Sequence, residues 1–159
     1  SFPTRRSSDL AQLIRRTADG IARERLFLED RASREGWLGT SRYAAELDEI
    51  NAVVDAVRDE LGDAAYERLL YATGRANRVR VQSVIGETPA AAAGILPGDR
   101  IVRYAGERVF DGRGLRAATR EGEPGALVPV EVLREGEPVL LYLPRGPMGI
   151  RMDITRELP

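Results

Sequence analysis

The sequence predicts an α+β chain, an N-terminal helical hairpin followed by a small antiparallel β-barrel or sandwich with two short helices. Three observations predict it. Apolar residues recur at helical spacing up to about residue 74, as in Tyr43, Leu47, Ile50, Val54, Val57 and Leu61. Beyond Arg75-Ala76-Asn77-Arg78 the pattern changes to the short alternation of strands, first at Val79 and Val81. Turn residues then punctuate the chain at close intervals, at Pro97-Gly98-Asp99, at Gly106 and at Gly136.

Taken in order, Phe2-Pro3-Thr4-Arg5-Arg6-Ser7-Ser8-Asp9-Leu10 resembles an in-frame translation of a sequencing adaptor, so residues 1–10 are set apart as a non-native segment. The native N-terminus, with any signal peptide or anchor, is then expected to be missing. Residues 11–74 form the helical segment. Ile14, Ala18, Ile21 and Leu28 give a first stripe reaching about Ser33, interrupted at Arg25 and weakened by Gly20. After the break from Gly36 to Gly39, Thr40 or Ser41 caps a second helix whose stripe, Tyr43 to Leu61, runs about 27 Å at 1.5 Å per residue. Gly62 ends it, Asp63 caps a third helix with Tyr66, Leu69 and Leu70 on its face, and Gly74 stops that one.

Residues 75–156 make the second part. A strand through Val84 leads to Thr88-Pro89, a helix cap and a first-turn proline whose missing N–H costs nothing there. A one-turn alanine helix ends at Gly94, and a strand follows from Ile101 to Tyr104. Gly106 to Val109 reads as a turn and strand, and Asp111 to Arg120 as a second short helix whose first turn Gly112 and Gly114 weaken. Val128–Leu133 and Val139–Leu143 read as a hairpin, and Ile150–Ile154 as the last strand.

The string from Val81 to Ile101 resembles the centre of a PDZ peptide-binding domain, of the circularly permuted type found in bacterial envelope proteases. That resemblance implies a loop holding a peptide's terminal carboxylate. Arg145-Gly146-Pro147-Met148-Gly149-Ile150 is similar to it, with Met148-Gly149-Ile150 as its apolar-Gly-apolar core and Arg145 and Gly146 as the basic approach. Consecutive backbone N–H groups turned into one concavity bind an anion, and glycine supplies the dihedrals. The loop stands after the strand-helix-turn string, so Ile150–Ile154 is expected to offer a free edge to an added strand. Arg151 and Met152 belong to that groove wall, and Leu115, Arg116 and Thr119 on the second short helix to the other. With no histidine available, a Ser or Thr preference next to the ligand's last residue but one is not expected; an apolar last residue meeting Ile150 and Met152 is.

Composition limits the rest. All 24 basic residues are arginine, 25 acids balance them to a net charge of −1, and hydrophobic residues make up 43% of the 159. That balance argues against a nucleic-acid surface, and no apolar run approaches the eighteen residues of a membrane span. The chain has no cysteine, histidine or lysine, which removes the usual nucleophile pairs, Schiff bases and thiol or imidazole metal sites, so neither catalysis nor a metal or other cofactor is expected. Arginine and alanine abundance without lysine implies a GC-rich bacterial source.

The resulting expectation is a noncatalytic adaptor of the periplasm or cell envelope that captures a protein C-terminus or an extended peptide, with a homodimer formed through the helices. One alternative is the regulatory PDZ portion of a truncated envelope protease. Another is a structural oligomer without a ligand groove.

Overall fold

The computed structural model describes residues 2–159, with side chains from residue 8 onward. It divides the chain into two compact units, residues 1–75 with 158–159, and residues 76–157. Of the segment set apart as non-native, Ser1 lies outside the described residues, and the first helix begins at Phe2.

The first unit holds α1 (Phe2–Glu35), α2 (Ser41–Leu61) and α3 (Asp63–Ala72). Thr40 caps α2, its hydroxyl accepting the Tyr43 N–H at 3.4 Å. The stripe on α1 is buried at Ile14, Ala18, Ile21, Leu28 and Ala32, and Val54 on α2 and Leu69 and Leu70 on α3 are equally sealed. Arg25, which interrupts that stripe, is a tie between helices. Its guanidinium donates to the Thr73 carbonyl at 2.9 Å, closing on the end of α3, and to the Asn51 amide oxygen of α2. Trp37, in the α1–α2 turn, is buried against Leu28 and Ala32 with the Arg42 guanidinium 4.1 Å from its ring centre. The first stripe is therefore used within the chain. Leu26, Phe27 and Val53 are the large apolar residues left exposed on the middle of α1 and α2.

The second unit is built on β1 (Arg78–Val84), α4 (Pro89–Ala93), β2 (Arg100–Tyr104), β3 (Glu107–Arg108), α5 (Gly112–Arg120), β4 (Leu127–Arg134), β5 (Glu137–Pro144) and β6 (Ile150–Thr155). The strands pair antiparallel in the order β5-β4-β2-β1-β6, with β3 attached to β2. The alternation lost at Gln82-Ser83 marks a bulge, because Val81 faces Met152 while Ser83 faces Arg151. Thr88 caps α4, and Gly94 ends it at φ +87°, the left-handed conformation that glycine takes at no steric cost. Inward-facing residues of four strands, Val79, Val81, Ile101, Tyr104, Val130, Val132 and Leu143, make the core with Leu115 of α5 and Ala90 of α4.

β6 is the last strand in sequence and stands at one end of the sheet. Its far end is clamped: the Asn77 N–H donates to Thr155 O at 2.9 Å, and the Asn77 amide exchanges hydrogen bonds with the Glu157 backbone at 2.8 and 2.9 Å. Arg80 pairs with Asp153, and Arg100 with Glu157.

Candidate binding groove

One wall of the groove is β6 and the loop before it; the other is α5. Asp111 caps α5 by accepting the Gly114 N–H at 2.7 Å, which starts the helix in spite of its two glycines. Leu115 and Ala118 face inward, and Thr119 and Arg116 turn toward the open side. Leu115, Arg116, Thr119, Pro147, Met148, Gly149, Ile150 and Met152 enclose about 290 Å³. Seven of these are residues that the sequence places in the site; Pro147, which lies inside the loop string without being singled out there, is the addition. The floor is apolar. The Thr119 hydroxyl donates to the Arg116 carbonyl at 2.7 Å, within its own helix.

The loop orients its peptide groups through two hydrogen bonds. Met148 O accepts the Ala90 N–H at 2.9 Å, and Gly149 O accepts the Ile85 N–H at 2.8 Å. In a trans peptide the N–H is anti to the carbonyl. The N–H groups of Gly149 and Ile150 therefore point away from α4 and β1, out at the edge beside the groove. Gly149 takes φ +89°, and a Cβ there would collide with the Thr88 side chain that caps α4. The glycine thus serves two needs at once, the backbone turn and a close approach to α4. A bulky substitution at Gly149 disturbs the fold as well as the loop, which the sequence does not reveal.

Beyond the loop, β6 pairs only with β1, so its outer N–H and C=O groups face away from the sheet. Ile150 and Met152 share the groove side of the strand; Arg151, between them, is exposed on the opposite side and does not line the groove. Arg145 and Gly146 stand outside the lining too. The Arg145 guanidinium donates to Ala118 O at 2.6 Å, at the C-terminal end of α5, and lies 5.7 Å from the Tyr104 ring centre. The Gly146 N–H meets the buried Tyr104 hydroxyl at 3.2 Å. These contacts hold the loop against α5, and the positive charge of Arg145 is spent on a helix carbonyl end rather than directed into the groove.

A family model described as a PDZ domain matches residues 53–143. The match begins within α2 and stops at β5, so the loop and β6 lie beyond it. Among curated proteins, the chain is 38% identical over 78 residues to the magnetosome formation protease MamE of Magnetospirillum gryphiswaldense, covering 49% of this chain and 10% of that protein. The chain thus spans about a tenth of the curated relative it matches. Among solved structures, it is similar to the PDZ domain of an SdrC-like protein from Listeria monocytogenes, at 18% identity and TM-score 0.42 over 48% of this chain and 87% of that one. It is also similar to the HtrA-type protease AlgW with a decapeptide, at 23% identity and TM-score 0.36 over 55% of this chain and 34% of that one.

Proposed function

We propose, since this chain belongs to the PDZ domain family, that residues 76–157 capture the free C-terminus of a partner protein as an added strand on β6. The observation that supports the reading best is the pair of adjoining N–H groups, Gly149 and Ile150, aimed out at an open strand edge beside an apolar pocket. In this reading the terminal carboxylate accepts from those two groups. The last side chain enters between Leu115, Met148 and Ile150, and the preceding residues pair with β6 in antiparallel register. The helices of residues 11–74 position the domain as part of an adaptor of the periplasm or cell envelope.

Amidation of the peptide is the test. An eight-residue peptide with an apolar last residue is expected to bind at micromolar strength, and its C-terminal amide about ten- to a hundredfold more weakly. Equal binding of acid and amide removes the carboxylate from the reading and leaves an internal extended segment as the ligand. Absence of binding by both removes the groove.

The 38% identity to a protease supports a second reading, in which this chain is the regulatory portion of a longer protein that includes a proteolytic domain. The full reading frame decides between them. A protease sequence adjoining residues 11–159 assigns the groove to substrate or activator sensing, and its absence leaves the adaptor.

A further inference from the structure

Among the side chains lining the groove, Arg116 alone bears a charge. Its position follows from the helix. A side chain in α5 leans toward the N-terminus and lies over the residue four before it, here Gly112, which has no side chain to occupy the space. A Cβ at Gly112 would stand 3.3 Å from Met152 Sδ and 3.4 and 3.6 Å from the two terminal guanidinium nitrogens of Arg116. The guanidinium and the Met152 thioether therefore meet over the same bare stretch of helix, at the end of the groove away from the loop. Among the described residues Arg116 makes no ion pair; of the two acids at the ends of α5, each five residues away, Asp111 is turned to the Gly114 N–H and Glu121 caps the opposite end of the helix.

The register of an added strand determines which ligand residue faces that charge. A carboxylate at Gly149 and Ile150 places the ligand's last residue opposite Ile150, and the ligand runs antiparallel to β6. Its third-from-last residue is then opposite Met152, and directly opposed residues in a sheet point their side chains to the same face. That side chain meets Arg116.

We infer, on the basis of the carboxyl-terminal binding reading above, that this groove selects partners whose third-from-last residue is acidic, and that Arg116 is the residue that imposes the choice. A carboxylate there forms a charge-assisted hydrogen bond to a guanidinium that has no competing acid, whereas a cationic side chain is repelled. The groove thus reads two features two residues apart, an apolar end and a negative charge.

Three otherwise identical eight-residue peptides ending in a free valine, with Glu, Gln or Arg third from the end, test this by titration against the full chain. The Glu peptide is expected to bind about five- to tenfold more tightly than the Gln peptide, with Arg weakest, and 0.5 M salt to compress the ranking. Arg116→Gln should bring the Glu-to-Gln ratio close to one, and Arg116→Glu should place the Arg peptide first. That reversal is something a merely structural arginine would not produce. Binding of all three peptides with equal strength, or a ranking unchanged in both variants, overturns the role of Arg116 while leaving the groove in place. Failure of every peptide to bind overturns the groove reading and this inference with it.

Discussion

Arg134 closes on Asp99 with two nitrogens at once, Nε 3.0 Å from Oδ1 and Nη2 2.8 Å from Oδ2, although Asp99 is only 1% exposed. The same carboxylate accepts the Leu96 N–H at 2.9 Å, and Arg134 also donates to Gly94 O at 2.9 Å. One ion pair thus ties the end of α4, the turn before β2 and the end of β4.

Acid should loosen this knot. Burial acts to raise the Asp99 pKa, but the hydrogen bonds from Arg134 and Leu96 outweigh it and hold the group below the usual carboxylate range. A depressed folded pKa contributes stability that is complete above the ordinary value of about 4 and is lost as pH falls through the folded value. The unfolding midpoint is expected to be level from pH 7 to about pH 5 and to drop below pH 4. Asp99→Ala should cost roughly 2 kcal/mol at pH 7, from the lost charge-assisted bonds, and should flatten the acid limb. A variant with wild-type stability at pH 7 would remove Asp99 from this role.

Gly149 and Gly94 have nearly the same positive φ, +89° and +87°, but different surroundings. A Cβ at Gly94 meets nothing within 4 Å, whereas one at Gly149 runs into Thr88. Gly94→Ala is expected to cost about 1 kcal/mol of backbone strain. Gly149→Ala should cost distinctly more, because the cap of α4 must move, and it should weaken peptide binding. Equal losses in chemical denaturation would mean that the loop yields without disturbing α4.

Arg25 provides a third measurement. Burial and the neighbouring Arg75 draw its pKa down, and both hydrogen-bonded ends lie on other helices. Arg25→Ala leaves the Thr73 carbonyl and the Asn51 amide without this donor, so a loss of roughly 1–2 kcal/mol is expected in the unfolding of the full chain. Unchanged stability would mean that the stripe of α1 alone holds the helices.

The two units should also separate. Every residue of the β-sheet core lies between Val79 and Met152, so a fragment of residues 75–159 is expected to give a cooperative melt and to bind the same peptides as the full chain. Self-association, read by light scattering across concentrations, is expected only in the full chain and should fall in a Leu26→Ser, Phe27→Ser variant. An unfolded fragment would make the helices part of the sheet's stability. A monomeric full chain would confine them to packing within one molecule.

The turns and caps were legible because their chemistry is local. Thr88-Pro89, Gly94 and the hairpin around Glu135-Gly136 each state their conformation within a few residues, and the break in alternation at Gln82-Ser83 is the bulge itself. Position on an element is local too: period two puts Ile150 and Met152 on one side of β6, and helical spacing turns Arg116 and Thr119 toward the open side of α5 while Leu115 faces inward. What escaped the sequence depends on distant partners. Arg145 is an anion-binding candidate by position, but its hydrogen bond reaches Ala118, 27 residues away in sequence. Arg25 reads as an interruption until Thr73 and Asn51 come beside it. Gly112 reads only as a weak helix residue, yet its bareness is what makes room for Arg116.

The Asn77 clamp has a mechanical consequence. Because β1 opens the second unit and β6 closes it in antiparallel register, residues 77 and 155 leave the sheet side by side. Opposed forces on those two ends load the β1–β6 ladder in the unzipping direction, one rung at a time, rather than shearing all its rungs together. The Asn77–Glu157 exchange is the first rung to bear tension, and the strand it releases is the one that edges the groove. Pulling on this domain would draw β6 away while β2, β4 and β5 are still folded, and a strand added to β6 as proposed would leave with it.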